Sequence, residues 1–287
     1  MTPKLKNLIT RSITGILYVA ILVTCFLQAF NMIIVLSLIT GMAIWEFTGL
    51  INVYKHVNVN RFITTISGVY FFFAVAGINS GTVHTHAVFI PYLLTIIYLF
   101  ISGLYTKSGD SVSDWAYTML SQMYIALPLS MINVVAFRQA TDGQNYYYYL
   151  LPLSIFIFLW TNDTGAYCTG PPLGKHKPFP RISPAKSWEG SIGGGILVLI
   201  MASIIYFIES QGENLSGLNL IEWLGLGLVV VIFGTWGDLV ESLLKRTLGI
   251  KDSGNILPGH GGMLDRFDSS LMAIPAAVIY LYSITLL

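Results

Sequence analysis

Apolar runs of about twenty residues, broken by short polar stretches, recur along most of this 287-residue chain. Each run has the roughly 20 residues that a helix needs to cross a hydrocarbon core. The pattern predicts nine spans, at about 12–28, 31–53, 62–79, 85–105, 114–137, 147–168, 189–209, 220–239 and 270–287. The first two form one apolar block. At about 1.5 Å per residue the block is about twice as long as a bilayer is thick, so it folds back near Gln28–Asn31. The fold class is therefore an all-α polytopic membrane protein.

Composition strengthens this picture. Hydrophobic residues make up 54% of the chain and charged residues only 10%, with mean hydropathy +0.70; a soluble domain carries about 25% charged residues. The basic residues then orient the spans. With the N-terminus in the cytoplasm, every Lys and Arg except Arg138 falls on the inner side, as cytoplasmic loops require. The basic start before the first span looks like a signal peptide, but the apolar run is too long and has no small-residue cleavage site, so it is read as a retained span. The four tyrosines Tyr146–Tyr149 suit an interfacial aromatic belt at the outer face. Cys25 and Cys168 lack metal-ligand spacing and are read as buried apolar side chains.

The two halves differ. Residues 1–145 form a transmembrane scaffold with short loops. Residues 146–287 carry two long cytoplasmic segments, about 169–188 and 240–269, and are the expected catalytic part. No inverted repeat of the transporter kind is visible.

Charges in or beside a bilayer cost about 2.5–3.5 kcal/mol each at a helix centre, and this chain concentrates them. In GDLVESLLKR a helix places Asp238, Glu241, Ser242 and Lys245 on one face, with Glu241–Lys245 as a ready i,i+4 pair. In LPGHGGMLDRFDSS, Asp265 and Asp268 are one turn apart. Gly261 and Gly262 free the backbone there, so that consecutive N–H groups form an anion-binding concavity at a helix start. His260 among these glycines reads as a hydrogen-bonding loop residue. Asp238 and Asp265 supply the hard oxygen ligands that Mg²⁺ prefers, with water and phosphate completing its shell.

TNDTGAY sets Asn162 and Asp163 into an apolar helix. GKHKPFPRISPAKSWEG crowds Lys175, His176, Lys177, Arg181 and Lys186 together. That crowding serves either anionic lipid heads or a triphosphate. The Gly170 to His176 segment is not a P-loop, being one residue short and lacking the Ser/Thr. Ser183-Pro184 reads as an N-cap followed by Pro at the first helical position, aiming a helix N-terminus and Lys186 at an anion. Gly190, Ser191, Gly194 and Gly195 have the small-residue spacing of close helix packing.

Three of these blocks, in order, resemble the phosphatidate cytidylyltransferase (CDP-diacylglycerol synthase) family: NDTGAY, RISPAKSWEG, and the run from Ser242 to Asp268 with its PGHGG and LDRFD parts. Trp45-Glu46 is also similar, whereas Thr169–Leu173 departs from the more basic or polar glycine turn expected there. The resemblance implies an all-helical membrane enzyme, a homodimer, with its site on the cytoplasmic side; the lack of a long soluble N-terminal extension favours a bacterial inner membrane over an organelle. It implies transfer of the cytidylyl group of CTP to phosphatidate, giving CDP-diacylglycerol and pyrophosphate for phospholipid biosynthesis. Nucleic acid is not an expected partner.

The family's metal pair maps onto Asp238 and Asp265, holding Mg²⁺ with the number of cations left open. Lys186, Glu241 and Lys245 join them as catalytic residues. Asn162, Asp163, Arg181, Ser183, Lys251, His260, Gly261, Gly262, Arg266 and Asp268 are expected to bind substrate, with Asn162 and Asp163 either completing the metal shell or contacting the cytidine. The rival readings are a CTP-using lipid kinase, a related CDP-lipid synthase, an ion transporter built on Asp163 and Asp238, and a membrane scaffold.

Overall fold

The computed structural model describes residues 3–105, 110–139, 143–212, 216–254, 256 and 261–284. Eleven helices follow one another: α1 (Pro3–Phe26), α2 (Ala29–Lys55), α3 (Arg61–Asn79), α4 (Ile90–Tyr105), α5 (Ser111–Ser121), α6 (Leu127–Ser130), α7 (Ile132–Ala136), α8 (Leu150–Leu173), α9 (Trp188–Ser210), α10 (Leu220–Thr247) and α11 (Leu264–Ser283). Among the described residues six helical stretches are long and apolar enough to cross a membrane: Ala29–Lys55, Arg61–Asn79, His86–Tyr105, Ser111–Ala136, Trp188–Ser210 and Leu220–Thr247. Ile13–Phe26 is a shorter apolar stretch. The chain is an integral membrane protein. The predicted turn after the first span falls at Leu27–Gln28, between α1 and α2.

Among the described residues the only sheet is small. Between α7 and α8 a two-stranded antiparallel hairpin pairs β1 (Phe137–Gln139) with β2 (Asn145–Tyr147), Phe137 lying opposite Tyr147. Its strands take up the end of the predicted fifth span and the start of the sixth. The Tyr147 hydroxyl donates to the Phe26 carbonyl at 2.7 Å, tying the hairpin to the α1–α2 turn.

The chain divides into two compact units, Met1–Tyr147 with Thr247–Phe267, and Tyr148–Arg246 with Asp268–Leu287. In the first, α2 is the central element. Met32, Leu36, Ile39, Ala43, Ile44, Phe47 and Ile51 recur at helical spacing and are buried. Gly41 and Gly68 bring α2 and α3 close: a Cβ on Gly68 would lie 2.2 Å from Ile44 Cδ1. A π-helical turn at Gln122–Ala126 joins α5 to α6, and the buried Gln122 amide donates to the Thr64 carbonyl.

In the second unit α8 packs along α9 with almost no side-chain spacer. A Cβ on Gly165 would lie 2.7 Å from the Gly194 Cα, and one on Gly194 would lie 2.7 Å from the Asn162 carbonyl oxygen. α10 meets the Asp268–Ser269 backbone through Gly237 in the same way. Cys25 is buried as expected, but Cys168 is exposed, because the last turns of α8 are largely open.

At the end of α9 the buried Glu209 gathers four donors. The Tyr148 hydroxyl donates to its carboxylate, as do the Ser216 amide at 2.7 Å, the Ser216 hydroxyl at 2.5 Å and Trp223 Nε1 at 3.1 Å. One acid thus ties the start of α8, the α9–α10 loop and the first turn of α10 together. Glu209→Ala strands several buried donors at once and is expected to cost about 3 kcal/mol or more, because each unsatisfied group costs about 1–3 kcal/mol. Glu209→Gln, which keeps one acceptor oxygen, is expected to lose less. Thermal unfolding of the purified chain in detergent measures both.

Candidate active site

The α8–α9 approach opens toward the ends of both helices into a cavity of about 420 Å³. Asn162, Asp163 and Tyr167 line it from α8, Lys177, Lys186 and Ser187 from the connecting loop, Ser191 from α9 and Thr235 from α10. Helix α8 does not stop at Thr169; it continues through Pro171 and Pro172 to Leu173, where the sequence suggested a loop. The neck of the loop after it is then tied: His176 Nδ1 lies 2.6 Å from the Glu189 carboxylate, and the Trp188 amide donates to the His176 carbonyl.

The start of α9 corrects the sequence reading. Ser183 is not an N-cap. It lies in a turn, donating its amide to the Phe179 carbonyl and accepting from the Lys186 amide. The cap is Ser187, in extended backbone, whose hydroxyl accepts from the Gly190 amide, with Glu189 in the first turn. Lys186 therefore stands just outside the helix. Its ammonium forms an ion pair with Asp238 Oδ2 at 2.5 Å and reaches the Thr235 carbonyl at 3.4 Å. Asp238 also accepts from the Ser242 hydroxyl at 3.2 Å. Both partners of the pair are partly buried, with side chains 24% and 30% exposed.

The rest of the acid-rich face of α10 is inward. Glu241 is fully buried and pairs with Lys245 on the next turn. Asp268, half-buried, lies within electrostatic reach of Asp238, Lys245 and Asp163. Asn162 is buried, and its Oδ1, packed beside Gly194, has no hydrogen-bond partner among the described residues. Asp163 is exposed at the cavity. Arg181, Lys251 and Arg266 are exposed.

Asp265, in the first turn of α11, belongs to the other unit. Its Oδ2 accepts from the Gly262 amide and the Ser253 amide, both at 2.8 Å. Gly261 has φ +86°, the left-handed conformation that glycine tolerates, and a Cβ there would strike the Asp265 carboxylate. Two amides at this helix start are thus already taken: Gly262 donates to Asp265, and Met263 donates to Glu46 at 2.8 Å. His260 lies outside the described residues. Glu46, noted in the sequence only for its family resemblance and given no site role there, is a further participant. Its signal was present, as a lone carboxylate inside an apolar span.

The fold and the cavity define a membrane protein of apolar helices whose α8–α9 cavity is lined by Asp163, two lysines and several hydroxyls. The chain belongs to the cytidylyltransferase family, whose model matches residues 9–284. It is 40% identical over 177 residues to a phosphatidate cytidylyltransferase of Staphylococcus aureus, and 40% identical over 176 residues to one of Staphylococcus haemolyticus. These alignments cover 61% of this chain and span 62% of the length of those relatives. A phosphatidate cytidylyltransferase of Haemophilus influenzae is 33% identical over 272 residues, covering 91% of this chain and 93% of that one.

The cavity depends on the bare α8–α9 contact. Gly194→Ala puts a methyl against the Asn162 backbone, where nothing flexible can yield. It is expected to cost about 1–3 kcal/mol by overpacking. Gly195→Ala, where a Cβ meets only Val231 at 3.8 Å, is expected to be near neutral. Melting temperatures of the two variants, side by side in one detergent, make the comparison.

Proposed function

We propose that this chain transfers the cytidylyl group of CTP to phosphatidate, releasing pyrophosphate and giving CDP-diacylglycerol for phospholipid biosynthesis. The family match across residues 9–284 and the activity named for its relatives support the reading. The observation that carries it is Lys186, which lines the α8–α9 cavity while its ammonium is held by Asp238. A cation and an acid held together there suit a polyphosphate that must be neutralised and aligned.

In the reaction a phosphate oxygen of phosphatidate bonds to the α-phosphorus of CTP. The bond from that phosphorus to the bridging oxygen breaks, and pyrophosphate leaves with its charge. Lys186, steadied by Asp238 and the Thr235 carbonyl, offers its ammonium to the triphosphate. Lys177, on the same cavity wall, adds a second positive charge. Arg181 and Lys245 screen the leaving group, and Ser183, Lys251, His260, Arg266 and Asp268 complete the substrate approach. Asn162 and Asp163 meet either the cytidine or the metal shell from α8. The acyl tails stay in lipid.

The donor chemistry fits Mg²⁺. Among the described residues, no three of His, Cys, Asp and Glu gather into a metal cage. Mg²⁺ needs no such cage; it keeps water and takes one or two carboxylates plus substrate phosphates. Asp238 and Asp265 are the proposed carboxylate ligands, each already steadied by neighbouring donors. When bound, the cation supplies Lewis-acid polarisation of the phosphates. The reading also places the N-terminus and the site on the cytoplasmic side of a bacterial inner membrane, in a homodimer.

Labelled CTP and phosphatidate, incubated with the purified chain, are expected to yield CDP-diacylglycerol and pyrophosphate; release of CDP instead would mark a lipid kinase. EDTA is expected to abolish turnover and Mg²⁺ to restore it. Asp265→Asn is expected to remove activity while leaving the melting temperature near wild type, and Lys186→Ala to lower kcat by about 100-fold or more. Wild-type turnover in Asp265→Asn would refute the metal assignment.

A further inference from the structure

Glu46 sits on α2, in an apolar span, with only 8% of its surface exposed. A carboxylate buried in such a place is kept only if donors meet it. The donors come from more than 200 residues away. The Ser253 hydroxyl donates to Oε1, and the Met263 amide donates to Oε2 at 2.8 Å. The surrounding residues are shaped to admit the carboxylate. A Cβ on Gly262 would overlap Oε1 at 1.8 Å, and one on Gly254 would lie 2.9 Å from Cδ. Two glycines are bare at the points where Glu46 enters.

The same short segments hold Asp265. The Ser253 amide donates to Asp265 Oδ2 at 2.8 Å while the hydroxyl of that serine donates to Glu46. Gly262 donates to Asp265, and the next amide, Met263, donates to Glu46. Each segment therefore presents one donor to each acid. Two carboxylates are cross-linked through two pieces of backbone, and neither can shift without disturbing the other.

We propose that Glu46 is a positioning residue: from α2 it clamps Ser253 and Met263, and through Ser253 and Gly262 it fixes the carboxylate of Asp265. The proposal rests on the reading of Asp265 as a metal-holding acid, and it assigns Glu46 no contact with substrate or metal. A glutamate is required because both incoming groups are donors. Glutamine offers one acceptor oxygen and turns an NH₂ toward the second donor; aspartate is one methylene short.

The test compares wild type with Glu46→Gln, Ser253→Ala, the double variant and Asp265→Asn, all as the purified full chain in detergent. Three quantities are read: hydrogen exchange of the peptide spanning 247–267, Mn²⁺ affinity by electron paramagnetic resonance, and kcat and KM for CTP. Glu46→Gln is expected to speed exchange in that peptide. It should weaken Mn²⁺ binding by about 10-fold or more, the usual scale for losing a group that orients a ligand, and lower kcat while moving KM for CTP by less than about twofold. Ser253→Ala is expected to act in the same direction, and the double variant to be no worse than Glu46→Gln, since both break one chain of hydrogen bonds.

Unchanged exchange, Mn²⁺ affinity and kcat in Glu46→Gln, or additive effects in the double variant, overturn the clamp. If Glu46→Gln does not fold, Ser253→Ala decides alone. If wild type makes no CDP-diacylglycerol, or Asp265→Asn binds Mn²⁺ like wild type, the functional reading fails instead, and the exchange comparison still judges the clamp.

Discussion

A carboxylate removed from water must be met by donors or by a cation, and the buried and half-buried acids of each unit obey that constraint. Glu209 takes a tyrosine, a serine and an indole. Glu46 takes a serine hydroxyl and an amide. Asp265 takes two amides, and Asp114, buried at α5, takes the Asn58 amide at 2.7 Å. Asp238 and Glu241 take lysines instead. The division is informative. Acids answered by neutral donors hold loops and helix ends in place, since a hydrogen bond fixes direction better than a flexible ammonium does. Acids answered by lysine sit on one face of α10, and one of the two lysines, Lys186, also lines the cavity.

The second constraint is distance. Helices in an apolar medium gain little from burying more hydrocarbon, so close association comes from small residues that let backbones touch. The α8–α9 pair is the case here, with Gly165 against Gly194 and Thr169 against Gly193. That contact has a chemical consequence. It brings the polar residues that flank the glycines, Asn162 and Asp163 on one helix and Ser187 and Ser191 on the other, to the wall of one cavity. Longer side chains at the glycines would separate the helices and dilute that wall.

Much of this was legible along the sequence because it is local. Apolar runs of membrane length announced the helices, the Glu241–Lys245 pair follows from an i,i+4 spacing, and the small residues from Gly190 to Gly195 announced a packed seam. The motif blocks carried the family. What local pattern could not supply were partners distant in sequence. Nothing near Asp238 predicts Lys186, 52 residues before it, and nothing near Glu46 predicts Ser253. The glycines around residue 261 looked like an anion nest because free amides at a helix start invite one; in the fold, carboxylates of the chain itself fill that role. Continuation of α8 through two prolines also defeats local reading. Pro171 and Pro172 sit in the last turn of a helix whose preceding residues are already committed by packing on α9.

The shift of one helix start by four residues shows how much chemistry depends on a cap. Had α9 begun after Ser183, Lys186 would stand in its first turn, its charge opposed by the positive end of the helix dipole. Ser187 caps instead, and Glu189 takes the first turn, where a negative charge is favoured. Lys186 is left one residue before the cap. From there its side chain spans to α10 and reaches Thr235 and Asp238, which lie one turn apart on the same helix. A lysine fixed inside a helix would have its reach set by that helix; one placed just before it answers to the acid on α10. The cap therefore decides that Asp238 holds the Lys186 ammonium at the cavity wall.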